Sequence, residues 1–223
     1  MKKIFALLIL FFPWKIRRFI YQKVFGYQIH STSYIGFSII FPNELVMGEH
    51  TSIGSLNVCK NIKKVQLDSY ATIGSLNWIT GFPTNLQHTG HFSKEIGRVP
   101  SLLMKEHSAI TSRHLIDCTN TISIGAFTTI AGAGSQFLTH SINIYEACQE
   151  SGEITIGKYC FLGTACVVLK GSKIPDFSIV GAMSLMNKQF EETHCVYGGV
   201  PAKKLKKIEE YCAYFDRREG YIV

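Results

Sequence analysis

No CxxC pair occurs among the seven cysteines of this 223-residue chain. The odd count and the missing pairs exclude a disulfide framework and a zinc finger, so a reducing, cytoplasmic setting is the simplest reading. No aromatic–basic RNA motif accompanies the net charge of +7. The basic residues gather near the two ends, in Lys15-Ile16-Arg17-Arg18 and in Lys203-Lys204-Leu205-Lys206-Lys207. That distribution suits a membrane surface or phosphates and argues against a broad nucleic-acid footprint. No apolar run reaches bilayer length, since Ile4 to Phe12 is stopped by Pro13. A small-residue cleavage site is also missing there, which argues against a secretory signal peptide.

What the chain does have is a six-residue rhythm. Ile156, Leu162, Val168, Ile174, Val180 and Met186 fall six apart, and Cys160, Cys166, Ser172, Ser178 and Ser184 follow the first five at a fixed offset. Six is neither a helix period nor the alternation of a simple strand. It suits a solenoid of short strands, with one aliphatic per hexad pointing inward and a small residue easing each corner. The same spacing joins Ile29 to Ile35, Met47 to Ile53, Leu67 to Ile73, Met104 to Ile110 and Ile116, and Ile124 to Ile130. Ile53-Gly54-Ser55-Leu56-Asn57 recurs as Ile73-Gly74-Ser75-Leu76-Asn77, displaced by 20 residues, as one three-hexad coil plus a corner bulge would be.

The expected organisation has three parts. Residues 1–28 form an apolar and amphipathic segment, with Ile16, Phe19, Ile20 and Val24 on one helical face and Arg17, Arg18, Gln22 and Lys23 largely off it. Such a segment can lie on an anionic leaflet, or it can cap the first coil. Residues 29–200 form the solenoid, interrupted by loops at 79–103 and 137–153, and residues 201–223 form a basic helix and tail. The interruptions are the places to seek function. The first carries Trp78 at its start and His88 and His91 within; the second begins Phe137-Leu138-Thr139-His140. A further column, Asn57, Asn77, His114 and Gly134, is polar and then empty, which places His114 beside a gap near His140.

With the Ile-Gly coils, the isolated Thr139-His140 and the turn Gly198-Gly199-Val200-Pro201-Ala202-Lys203 in view, the chain resembles the hexapeptide-repeat acyltransferases, including the galactoside, maltose and polysaccharide O-acetyltransferases. The resemblance implies an all-β fold: a left-handed parallel β-helix with an N-terminal amphipathic helix and a short C-terminal one. It also implies a homotrimer that binds acetyl-CoA between subunits and requires no metal. His140 matches the family's catalytic histidine, and His114 is the nearest counterpart of its acceptor-positioning asparagine. Asn77, Trp78 and Asp117 are then the acceptor side of the site. Gly163, Lys170, Ala182, Pro201, Lys203 and Lys204 would hold acetyl-CoA, the lysines meeting its phosphates.

An imidazole can take a hydroxyl proton near neutral pH, so His140 is expected to act as general base on a sugar or glycan acceptor with no acyl-enzyme. His114, Asn77 and Asp117 would orient the acceptor or the imidazole. Two other classes stay open at this stage. One is a zinc enzyme of the γ-carbonic anhydrase type, using His114, His140 and one of His88, His91 or His107. The other is a binding scaffold without chemistry. If the N-terminus touches membrane, a lipid-linked sugar or polysaccharide precursor at the cytoplasmic face is the natural acceptor.

Overall fold

One inward aliphatic per hexad lets each hexad make a short strand and a corner, and three hexads close a coil. The computed structural model, which describes residues 9–84, 91, 92 and 94–222, contains seven such coils stacked as three parallel sheets. The first sheet runs from Gln28–Ile29 to Lys173–Ile174, the second from Tyr34–Ile35 through Ile179–Val180, and the third from Ile39–Phe41 to Leu185–Met186. Ile35, Ile53, Ile73, Ile110, Ile130, Leu162 and Val180 pair in register down the second sheet. All seven are buried. Each such aliphatic contributes about 1.5–3 kcal/mol by leaving water, and the stacked columns form one continuous core.

The two expected interruptions are narrower than their spacing suggests. Ile79 keeps the inward position of the strand Trp78–Thr80, and coil structure resumes at Ser101–Met104. Phe137 is likewise a buried core residue of Gln136–Leu138. It escapes the six-residue rhythm because one extra residue enters the corner after Ile130, a corner where Gly132 and Gly134 both adopt positive φ. The second interruption is an antiparallel hairpin, His140–Asn143 with Cys148–Ser151, in place of a loop.

The three corners differ in chemistry. The first carries a file of stacked rings, His50, Tyr70, His107, Phe127, Tyr159, Phe177 and His194, with successive centroids 4.5–5.6 Å apart. The second is a hydrogen-bonded ladder, in which the side chains of Ser38, Asn57, Asn77, His114 and Ser135 each accept the backbone N–H of the next coil. Ser135, and not Gly134, is therefore the fourth member of the polar column. The third corner releases both insertions.

The ends of the solenoid are open sheet edges and must be covered. Helix α1 (Trp14–Val24) covers the first coil. Arg17 is buried and donates to the carbonyls of Ile35 and Gly36 at 2.9 and 2.8 Å. Trp14 and Gln22 serve Ser33 and Ile29 in the same way. The face of α1 toward the protein is thus mixed, with buried Arg17 and Tyr21 beside the partly buried Trp14 and Ile20, and Ile16, Phe19 and Val24 face outward with Lys15 and Lys23. Much of the apolar run Ile4 to Phe12 lies outside the described residues. At the other end the expected basic helix is a strand: Lys203–Lys207 pairs antiparallel with Cys195–Gly198 and closes the second sheet. A lysine-rich strand in that place is a solvated edge that resists further pairing. Helix α2 (Ala213–Asp216) follows it.

Candidate active site

The third corner places the end of strand Leu115–Asp117 against the start of the hairpin. Gly81 makes the crowding possible, because a Cβ there would lie 2.6 Å from the Cys118 carbonyl oxygen. Asp117 ends its strand in a tight turn, with Thr119 N–H and Oγ1–H both donating to Oδ1, at 3.1 and 2.5 Å. Its Oδ2 accepts Thr139 N–H at 3.0 Å and faces His140 Nδ1 at 2.6 Å. Burial pushes the Asp117 carboxyl up, but the bonds from His140 and Thr119 outweigh it and hold the group below its ordinary range. A carboxylate can only accept, so His140 Nδ1 carries a proton, which in a neutral imidazole leaves the lone pair on Nε2. The His140 side chain is 30% exposed and Asp117 only 11%. The ring is thus oriented by Asp117, and among the described residues Nε2 has no hydrogen-bond partner.

The residues after Gly81 complete the surroundings. Phe82 and Phe92 set their rings edge-on to His140, with centroids 5.5 and 5.9 Å away. Arg98 donates through Nη1 to the carbonyls of Phe82 and Thr119 at 2.6 and 2.7 Å and lies over the Phe92 ring. The loop is tied to the hairpin, because Glu95 accepts both the N–H and the hydroxyl of Ser151. Thr119, Thr139, Phe82, Phe92 and Arg98 are the participants that spacing did not single out as site residues. The Asp117-Cys118-Thr119 pattern, with its self-hydrogen-bonding turn, was the available signal for the first.

The remaining expected site residues divide. Asp117 joins His140 directly, through the bond between Oδ2 and Nδ1. His114 does not join them: Nδ1 accepts Ser135 N–H at 3.2 Å and Nε2 lies 2.9 Å from Thr111 Oγ1, so both nitrogens serve the ladder. Burial also pushes its pKa down, favouring the neutral ring. Asn77 is the rung below it. Trp78 faces out from the third sheet, 47% exposed under the Lys60 ammonium. Gly163 packs against Ala182 so closely that a Cβ would meet its backbone N at 2.8 Å. The Gly199–Pro201 turn bonds to Ser184 and Leu185 nearby. Lys203 lies on the closing strand, Lys204 pairs with Glu192, and Lys170 sits apart from these, paired with Glu150 of the hairpin. Of the three-histidine alternatives, His88 lies outside the described residues and His107 is sandwiched between Tyr70 and Phe127. His91 instead lies against Phe82.

No family model matches the chain. A 62-residue stretch is 37% identical to a chloramphenicol acetyltransferase of Klebsiella aerogenes and 34% identical to one of Morganella morganii. The stretch is 28% of this chain and spans 29% of the length of each relative. Among solved structures, a mutant of AntD, an N-acyltransferase from Bacillus cereus in complex with dTDP and coenzyme A, aligns over 89% of this chain and 91% of its own, with a TM-score of 0.52 and 14% identity. The chain is a left-handed parallel β-helix of hexapeptide repeats, and it shares that fold with the acyltransferase AntD.

Proposed function

We propose that this chain is an O-acetyltransferase that moves the acetyl group of acetyl-CoA to a hydroxyl of a sugar, in a polysaccharide or lipid-linked glycan precursor. The observation that carries the reading is the His140–Asp117 pair, with Nε2 left as a base. The acceptor hydroxyl gives its proton to Nε2 as its oxygen attacks the thioester carbonyl. Asp117 stabilises the imidazolium so formed, and the proton then goes to the departing CoA thiolate. Both substrates must be held together for this, which Gly163, Ala182, Pro201, Lys203, Lys204 and Lys170 would do for acetyl-CoA. The chloramphenicol acetyltransferase stretch and the CoA-bound AntD fold support acetyl-CoA as the donor. The test is thiol release from acetyl-CoA with a panel of free, nucleotide-linked and lipid-linked sugars. Sugar-dependent release is expected, and its absence across the panel, with no CoA binding by calorimetry, would discard the proposal.

A homotrimer is part of the same reading. The second corner and the outer side of the third sheet expose Leu56, Leu76, Met183, Trp78 and Leu115, and a cluster of exposed apolar side chains of this kind marks an association surface. Trp78→Glu is expected to shift the mass measured by light scattering from trimer to monomer. A wild-type chain that is already monomeric would end the idea.

Peripheral membrane contact is the second extension. Among the described residues no helix is long and apolar enough to cross a membrane. The outward face of α1, with Phe11 and Phe12 beside it, instead combines exposed aromatics with Lys15 and Lys23, the composition of an interfacial helix. Phe19→Glu should release the protein from phosphatidylserine vesicles in a flotation assay, whereas equal flotation would count against contact through this face.

A further inference from the structure

The recess next to His140 carries a charge pattern that deprotonating a hydroxyl does not require. Phe82 and Phe92, the rings that touch His140, also line a cavity of about 270 Å³. Lys63, His91, Glu95 and Arg98 contribute to the same lining. Glu95 is already engaged, both of its oxygens accepting from Ser151. Lys63 is exposed and has no carboxylate within ion-pair distance among the described residues. Arg98 is fixed by the bonds from Nη1 to Phe82 and Thr119, and its Nε has no acceptor among the described residues. Two permanent cations and a histidine therefore line a recess with one carboxylate among the described residues, Glu95, so the lining keeps a cationic excess.

We infer that this recess binds an anionic group of the acceptor, a carboxylate or a phosphate, carried on the same sugar unit as the hydroxyl that is acetylated. A neutral acceptor would cover Lys63 and Arg98 without replacing their hydration, a cost that an anion removes by charge-assisted hydrogen bonds. With Nη1 and Nη2 already donating to the carbonyls of Phe82, Thr119 and Pro83, Arg98 offers Nε–H to the anion, and Lys63 adds a mobile point charge at the rim. The phenyl rings of Phe82 and Phe92 border both the recess and His140. The anion would thus be held on one side of the sugar and the reacting hydroxyl on the other. Arg98 also braces the carbonyls of Phe82 and Thr119, so anion binding and the His140–Asp117 turn share one support.

The inference rests on the sugar acetyltransferase reading, and its test separates the two. Binding is measured by calorimetry, and acetyl transfer by thiol release, for matched pairs: glucuronate with glucose, galacturonate with galactose, glucose 1-phosphate with glucose, and inorganic phosphate alone. Lys63 is the residue to change, since it is exposed and its side chain makes no hydrogen bond or ion pair among the described residues. At least one acidic series should exceed its neutral partner by about tenfold or more, the scale of a hydrogen bond to a charged group. The carboxylate and phosphate arms then identify the anion. Lys63→Ala should lower that ratio about tenfold, Lys63→Glu should take it below one, and Lys63→Arg should keep it. Neutral sugars bound as well as acidic ones, a ratio insensitive to Lys63→Glu, or no binding of any acidic probe would each overturn the inference. Anion binding without transfer to any sugar would instead leave the recess assigned and discard the acetyltransferase reading.

Discussion

Replacing His140 with alanine is expected to lower kcat/KM for sugar acetylation by about 10²–10⁴, the usual contribution of a positioned general base. The loss should fall on kcat, because Nε2 acts on the reacting hydroxyl and contributes little to holding either substrate. The fold should survive the change. Asp117 keeps its bonds from Thr119 and Thr139, and the side chain removed is partly solvent-exposed at the mouth of the hairpin. Folding is checked by thermal denaturation and turnover by thiol release. A variant that folds and retains activity within a few-fold of wild type would remove His140 from the chemistry.

Much of this was legible in the residues, for a physical reason. A stacked solenoid repeats its inward position once per hexad, so Ile156 to Met186 announces the core directly, and the Ile53 and Ile73 pentapeptides pair in register as their 20-residue offset implies. Legibility failed where the backbone adds a residue. The extra residue in the corner after Ile130 hides Phe137 and Ser135 from a six-residue count, and so the ladder's fourth rung was assigned to Gly134. The same ladder explains why His114 resembles a site residue without joining His140. It occupies the corner seat where asparagine or serine in other coils receives the next coil's N–H. Sequence also cannot show that the strand end at Asp117 meets the hairpin start at His140, a contact 23 residues apart made by stacking one coil on another. Likewise the lysines of 203–207 are read as a helix or tail from composition alone, whereas the open edge of the second sheet draws them into a strand.

Asp117→Asn is the second large effect, and it tests position rather than charge alone. An amide cannot accept on both sides as the carboxylate does, and its NH₂ turned toward His140 would donate to Nδ1. The ring proton would then move to Nε2, the nitrogen that must accept from the hydroxyl. A loss on the order of 10⁴ in kcat is the scale for a histidine held in the wrong tautomer. ¹⁵N shifts of His140 supply a readout that a purely structural role would leave unmoved, with the Nδ1–H pattern of the wild type replaced by Nε2–H. Stability should change with pH in a matching way. The folded-state pKa of Asp117 lies below its unfolded value, so its contribution is present above the ordinary carboxylate range and is lost as the pH falls through the lower, folded value. The asparagine variant lacks that dependence, and its deficit relative to wild type should shrink in acid denaturation series. An unchanged His140 tautomer together with kcat within tenfold of wild type would leave Asp117 as a turn residue, and the base without its partner.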